Sequence, residues 1–149
     1  MKKNDLYRSW RSARQCGERI AAQYGFKAFP VEPAIIAEAA GITVLAKPES
    51  LEGVSGMLLR HGDNFGIMYA THIPNLGFQR FSIAHELGHY FLDGHMDHVL
   101  PSGAEFHESR AGFRSGNNYE IEADHFASGL LMPTDLFKRE IMRFKDGLS

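Results

Sequence analysis

A single cysteine, Cys16, stands in a chain of 149 residues. One thiol cannot close an internal disulfide, and it has no cysteine partner for a thiolate metal site. A disulfide scaffold is therefore excluded, and a reducing, cytoplasmic setting is the natural expectation. No run approaches ~18 consecutive apolar residues, so no membrane-spanning helix and no membrane partner are expected. The opening stretch, MKKNDLYRSWRSARQ, has two lysines but no apolar segment behind them, unlike a secretory signal. An excess of charge is missing too. Sixteen Lys and Arg face eighteen Asp and Glu, a formal net charge of −2. Bulk electrostatics gives no drive toward nucleic acid, and direct nucleic-acid binding is not expected. Low-complexity tracts and internal repeats are also absent. What remains is an ordinary globular composition, 44% apolar and 23% charged, which suits one domain with a real core.

Residues 5–24 read as a helix ended by Gly25, with Leu6, Trp10, Ala13, Ile20 and Ala21 available to pack. Its arginines, Arg8, Arg11, Arg14 and Arg19, read more simply as a solvated face than as a docking site for an acidic partner. The stretch PVEPAIIAEAAG predicts a short helix opened by Pro33 and closed by Gly41. ITVLA, 42–46, is a strand candidate. VSGMLLRHGDNFGIMYA predicts two strands turning at Gly62-Asp63-Asn64. THIPNLGFQR reads as a connecting loop, and 93–118, rich in Gly, His, Ser and Asn, as a long one. YEIEADHFASGLLM returns to helix and stops at Pro133, and TDLFKREIMRF is a last helix with Thr134 as a candidate N-cap. The order predicts an α+β domain with a small antiparallel three-stranded sheet carried on helices. A single domain is expected over 1–149, with an N-terminal helix in 1–25 and a core over 42–135.

The chemistry concentrates in FSIAHELGHYFLDGH, residues 81–95. Ile83, Leu87, Tyr90 and Phe91 mark a helical stripe, and Asp93-Gly94 supplies a stop. On that helix His85 and His89 lie one turn apart on one face and can chelate one ion. Glu86 sits about 100° round from His85. That is too far round for the obvious third ligand, yet near enough to reach a water in the open position. Gly88 inside the helix costs up to about 1 kcal/mol against alanine, which suggests a close neighbour. The alternative is a helix that merely carries two histidines.

A catalytic zinc site has three protein ligands and one open position. Candidates for the third are His95, His98, Glu105, His107, Glu108, Glu120, Glu122 and His125. His95 follows His89 by six residues but lacks the glycine that the longer HExxHxxGxxH pattern places between them. Glu120 and Asp124 share a helix face, which suits a carboxylate ligand beside a carboxylate that orients a histidine. Glu122 lies about 200° from Glu120, so both cannot face one ion. The competing reading is that these acids decorate a solvated first turn, where they complement the helix dipole. Spacing alone leaves the two readings open.

The two blocks together, FQRFSIAHELGH and Glu120-Ile121-Glu122-Ala123-Asp124-His125-Phe126-Ala127-Ser128-Gly129-Leu130-Leu131-Met132-Pro133, resemble the ImmA/IrrE family of metallopeptidases. The approach GFRSGNNYEIEAD is similar too, and the resemblance covers about residues 54–135. One departure is Ser128-Gly129, where small helix formers are commoner and glycine weakens the helix. The resemblance implies a thermolysin-like zincin core, with Zn2+ held by His85, His89 and Glu120. It also implies that Asp124 orients a ligand and that Glu86 acts as general base. It further implies a protein substrate, of the kind of a transcriptional repressor or an antitoxin-like regulator.

A second donor for the reacting carbonyl is expected among Arg110, Arg114, His107 and Tyr119, with no basis in sequence for choosing. FGIMYA, 65–70, is a candidate sheet edge for pairing with an extended peptide. The reading that competes with a zinc endopeptidase is a non-catalytic, metal-stabilised interaction module, for example in a toxin–antitoxin-like pair. An intact Glu86 favours the enzyme, because a structural zinc needs no base and prefers a closed, Cys-rich set. Oligomeric state is not legible in the sequence.

Overall fold

A computed structural model describes residues 2–47, 53–110 and 117–147. Helix α1 (Lys3–Gln23) is followed by α2 (Pro33–Ala39), β1 (Thr43–Lys47), β2 (Val54–His61) and β3 (Asn64–Ala70). Then come α3 (Leu76–Phe91), α4 (His95–Val99), β4 (Phe106–Arg110), α5 (Asn118–Leu131) and α6 (Thr134–Gly147). Glycines at positive φ end the first two helices at Gly25 and Gly41, and Gly62 opens the β2–β3 turn, a conformation that only glycine adopts at little cost. Asn75 caps α3 by accepting from the Phe78 N–H, so half of the expected 71–80 loop is the first turn of that helix. Thr134 begins α6 without capping it. Its N–H and hydroxyl both donate to Glu18 Oε1 on α1, at 2.8 and 2.5 Å. No helix among the described residues is long and apolar enough to cross a membrane.

The fold is mixed α+β, but the sheet differs from expectation. It has four strands in the order β1-β3-β2-β4, not three, and it is mixed, not antiparallel. β1 pairs with β3 in parallel, Leu45 opposite Met68. β2 pairs antiparallel with β3, Leu58 opposite Ile67, and with β4, Leu58 opposite His107. A strand followed by a hairpin suggests sequential neighbours. Here the returning arm, β3, inserts between β1 and β2. FGIMYA is therefore interior and cannot serve as an edge; among the described residues the edges are β1 and β4. The fourth strand lies inside the span read as loop, because five residues give too little alternation to be seen.

The core sits between the sheet and α3, and extends under α5. Leu58, Ile67, Ile36, Leu87, Phe126 and Leu130 are all fully buried. Residues 82–89 of α3 are buried without a break, so this helix is an interior element rather than an amphipathic one. Its neighbour α5 comes close because Gly88 has no side chain. A Cβ there would lie 3.1 Å from Ala123 Cα and 3.2 Å from the Ala123 carbonyl oxygen. On the far side α1 crosses α5 closer still. A Cβ at Gly129 would meet the Arg14 carbonyl oxygen at 2.0 Å, and one at Gly17 would meet that of Phe126 at 2.2 Å. The Ser128-Gly129 departure thus has a packing reason.

Gly129→Ala tests this crossing, because two effects have opposite signs. In an isolated helix the change favours folding by about 1 kcal/mol. Forcing a methyl into backbone at this contact costs about 1–3 kcal/mol or more. We expect a net loss of melting temperature of several degrees, at about 2–4 °C per kcal/mol for a chain of this size. A thermal melt that rises on this substitution would refute the crossing.

Candidate metal centre

Helix α3 is an expensive place for polar groups. His85, Glu86 and His89 are 8%, 0% and 0% exposed, and burying such groups without partners costs several kcal/mol. The two histidines do have partners, and their geometry is directional. His85 Nδ1 lies 2.7 Å from Asp124 Oδ1. A carboxylate only accepts, so Nδ1 carries the hydrogen and donates outward. His85 Nε2 then faces the first turn of α5, 3.3 Å from Glu120 Oε2. His89 Nε2 faces the same carboxylate, 3.0 Å from Oε2 and 3.2 Å from Oε1. Among the described residues, His85, His89 and Glu120 offer three ligand atoms that lie within 4.8 Å of one another.

This donor set fits a divalent ion. Ligands about 2.0–2.1 Å from a tetrahedral ion sit about 3.3 Å apart, and the Nε2–carboxylate separations here are 3.0 to 3.3 Å. Two imidazoles and one carboxylate match the ligand types of a catalytic zinc site that keeps an open position.

The electrostatics agree. Burial alone would lower the His85 pKa, but bonding to Asp124 and Glu120 and the charge of Glu86 outweigh it and raise it to about 10. Without an ion, the positive charge these carboxylates demand is a proton. Burial dominates at His89 and lowers its pKa to about 4. Glu120 resists its own burial, because His107, His85 and His89 hold its carboxyl far below the usual range.

Glu86 is different. Neither carboxylate oxygen has a hydrogen-bond partner among the described residues. Burial pushes its pKa up, against the pull of His85 and of the nearby Ser109 hydroxyl, which lies close without forming an aligned bond. The side chain packs over Gly56 of β2, where a Cβ would come within 3.1 Å of Oε1.

Among the groups weighed from sequence as carbonyl donors, the structure brings one to the cluster. His107 Nε2 lies 2.8 Å from Glu120 Oε1. Alternation along β4 points His107 and Ser109 the same way, toward α3, a signal that Phe106-His107-Glu108-Ser109 carries only once it is known to be a strand. Arg110 bonds to Glu108. Tyr119 stacks on His98 with ring centroids 3.9 Å apart. Arg114, with the rest of the GFRS approach, lies outside the described residues. His95 is not in the cluster but touches His89, and Glu122 faces away from Glu120 toward α1. Cys16 is buried elsewhere, and burial raises its thiol pKa.

A buried, unpartnered carboxylate should weaken the metal-free fold. Because the folded-state pKa of Glu86 is raised, the destabilisation is fully present above it and vanishes below the ordinary carboxylate range. Glu86→Gln should therefore raise the melting temperature of the metal-free protein near neutral pH, by about 1 kcal/mol or 2–4 °C. The gain should shrink as pH falls toward about 4. A lower melting temperature at neutral pH would show that Glu86 has a stabilising partner.

No curated protein matches the chain. The model of the peptidase family described as IrrE N-terminal-like domain does match, over residues 37–148. The match takes in α3, β4 and α5, which carry every group of the cluster, and leaves α1 outside. With its paired histidines and Glu120 converging as they do, and most of its length matched, the chain belongs to the IrrE N-terminal-like domain family of peptidases.

Proposed function

We propose that this protein is a zinc-dependent endopeptidase that cuts a regulatory protein, a repressor or an antitoxin-like regulator, in the cytoplasm. The observation that carries the reading is the pairing of two unlike things: three converging ligand atoms and, beside them, a buried carboxylate with no hydrogen-bond partner among the described residues. A purely structural metal has no use for the second. On this reading the catalytic core has the thermolysin-like arrangement, in a single domain spanning 1–149.

His85 Nε2, His89 Nε2 and the Glu120 carboxylate would hold the ion. When bound, zinc supplies Lewis acidity, polarising a peptide carbonyl and making water a competent nucleophile near neutral pH. Glu86 takes a proton from that water on a carboxylate oxygen and gives it to the leaving amine nitrogen. The upward shift in its pKa suits a group that must both accept and release a proton. Asp124 holds the His85 ring in place through Nδ1. His107 is the described side chain best placed to donate to the developing oxyanion. The substrate strand would pair with the open edge of β4, since among the described residues β4 pairs with β2 alone and carries His107 toward the cluster.

One observation favours a second reading. His107 Nε2 approaches Glu120 closely enough to become a fourth protein ligand, and a closed set is the mark of a structural site. The protein would then be a metal-stabilised interaction module.

Elemental analysis should find one zinc per chain, lost in the His85→Ala, His89→Ala double variant. Unchanged metal content in that variant would overturn the site. Glu86→Gln should keep its zinc and lose cleavage of a co-encoded regulator by about 10²- to 10⁴-fold or more. Equal cleavage by both proteins would remove Glu86 as the base. A zinc-loaded wild type that cuts no partner, together with zinc loss in His107→Ala, would decide for the closed module.

A further inference from the structure

His95 and Glu122 stand in line behind His89. His89 Nδ1 lies 3.0 Å from His95 Nδ1, and His95 Nε2 lies 2.8 Å from Glu122 Oε2. Glu122 Oε1 accepts in turn from the Ser9 hydroxyl of α1 and from the Asn118 side-chain amide at 3.2 Å. Both imidazoles are buried, His95 to 1% exposure. Asn118 is itself held from α1, by the Trp10 indole N–H at 2.9 Å.

The hydrogens in this line follow from its two ends. A carboxylate only accepts, so the hydrogen between His95 and Glu122 belongs to His95 Nε2. At the other end His89 Nε2 lies 3.0 and 3.2 Å from the Glu120 oxygens, which also only accept, so that gap holds a hydrogen in the metal-free protein and the ion when one is bound. An ion at Nε2 leaves Nδ1 as the nitrogen of His89 that carries the hydrogen, and the acceptor it faces is His95 Nδ1, 3.0 Å away. Direction passes from Glu122 through His95 to the atom that a metal would need.

We propose that Glu122 and His95 are positioning residues, His95 accepting the hydrogen of His89 Nδ1 so that Nε2 is held toward Glu120 for an ion, and that Ser9 of α1 anchors the far end. The proposal rests on the metal-centre reading. It differs from the arrangement at His85, where one carboxylate, Asp124, does the same work in a single step. It also gives α1, which lies outside the family match, a role at the centre. A structural role alone, in which His95 and Glu122 merely satisfy each other in the core, would affect stability and leave the metal affinity unchanged.

Two readouts separate these cases: long-range proton–nitrogen NMR of the histidine rings in zinc-loaded protein, and zinc affinity by chelator competition. The loaded wild type should show a slowly exchanging hydrogen on His89 Nδ1. His95→Phe should make that hydrogen exchange faster and bind zinc about 10- to 100-fold more weakly. His95→Asn places Oδ1 near the former Nδ1 and should recover part of the loss. Glu122→Gln keeps the shape of its side chain and should show a smaller drop, and Ser9→Ala the smallest. Native-like His95→Phe with wild-type zinc affinity would overturn the proposal, as would a loaded wild type whose His89 is protonated at Nε2. If His95→Phe fails to fold, His95→Asn and Glu122→Gln carry the same comparison. Absence of zinc binding by the wild type would overturn the metal-centre reading and the proposal with it, whereas wild-type affinity in the variants overturns the proposal alone.

Discussion

Three lone-pair-bearing atoms, His85 Nε2, His89 Nε2 and a Glu120 oxygen, are forced together on the flank of a helix that is otherwise interior. Such an arrangement repels itself unless a cation stands among the three. The surrounding structure holds it in place. Each histidine is turned inward by a hydrogen bond on its other nitrogen, to Asp124 or to His95. Glu120 is brought within reach because α5 lies almost on the backbone of α3 at Gly88. The position of α5 is fixed from behind by α1, through the contacts at Gly17 and Gly129. A separation of a few tenths of an ångström in the cluster thus depends on glycines up to three helical turns away. Close-packed interiors transmit displacement rather than absorb it.

Parts of this were legible in the sequence because they are local. The i, i+4 spacing puts His85 and His89 on one face whatever surrounds them, and the same rule pairs Glu120 with Asp124. Helix ends at Gly25 and Gly41 follow from glycine's tolerance of positive φ. What was not legible depends on long-range partners. β4 spans five residues and is a strand only because β2 is there to pair with it. The parallel pairing of β1 with β3 cannot be read from either strand alone. Glu122 illustrates the limit well. Helix phase turns it away from Glu120, and the competing reading places it with Glu120 and Asp124 on a solvated first turn. Phase says nothing about what occupies that side, which is Ser9 of α1 and His95.

The two histidines of the motif look equivalent in sequence and are not equivalent in the fold. His85 is oriented by Asp124, whose side chain is 55% exposed, so water screens the far end of that hydrogen bond. His89 is oriented by the buried ring of His95. Carboxylates on both sides of His85 raise its pKa to about 10, while burial takes that of His89 down to about 4. In the metal-free protein the site's proton therefore resides on His85. Loading an ion must displace that one proton, so metal binding is coupled to proton release through His85. Glu86 completes the asymmetry. Its carboxylate makes no hydrogen bond among the described residues, and a partner there would compete for the lone pair that a general base needs. The local instability at Glu86 and its suitability as a base have one cause: a carboxylate kept dry and unpartnered over Gly56.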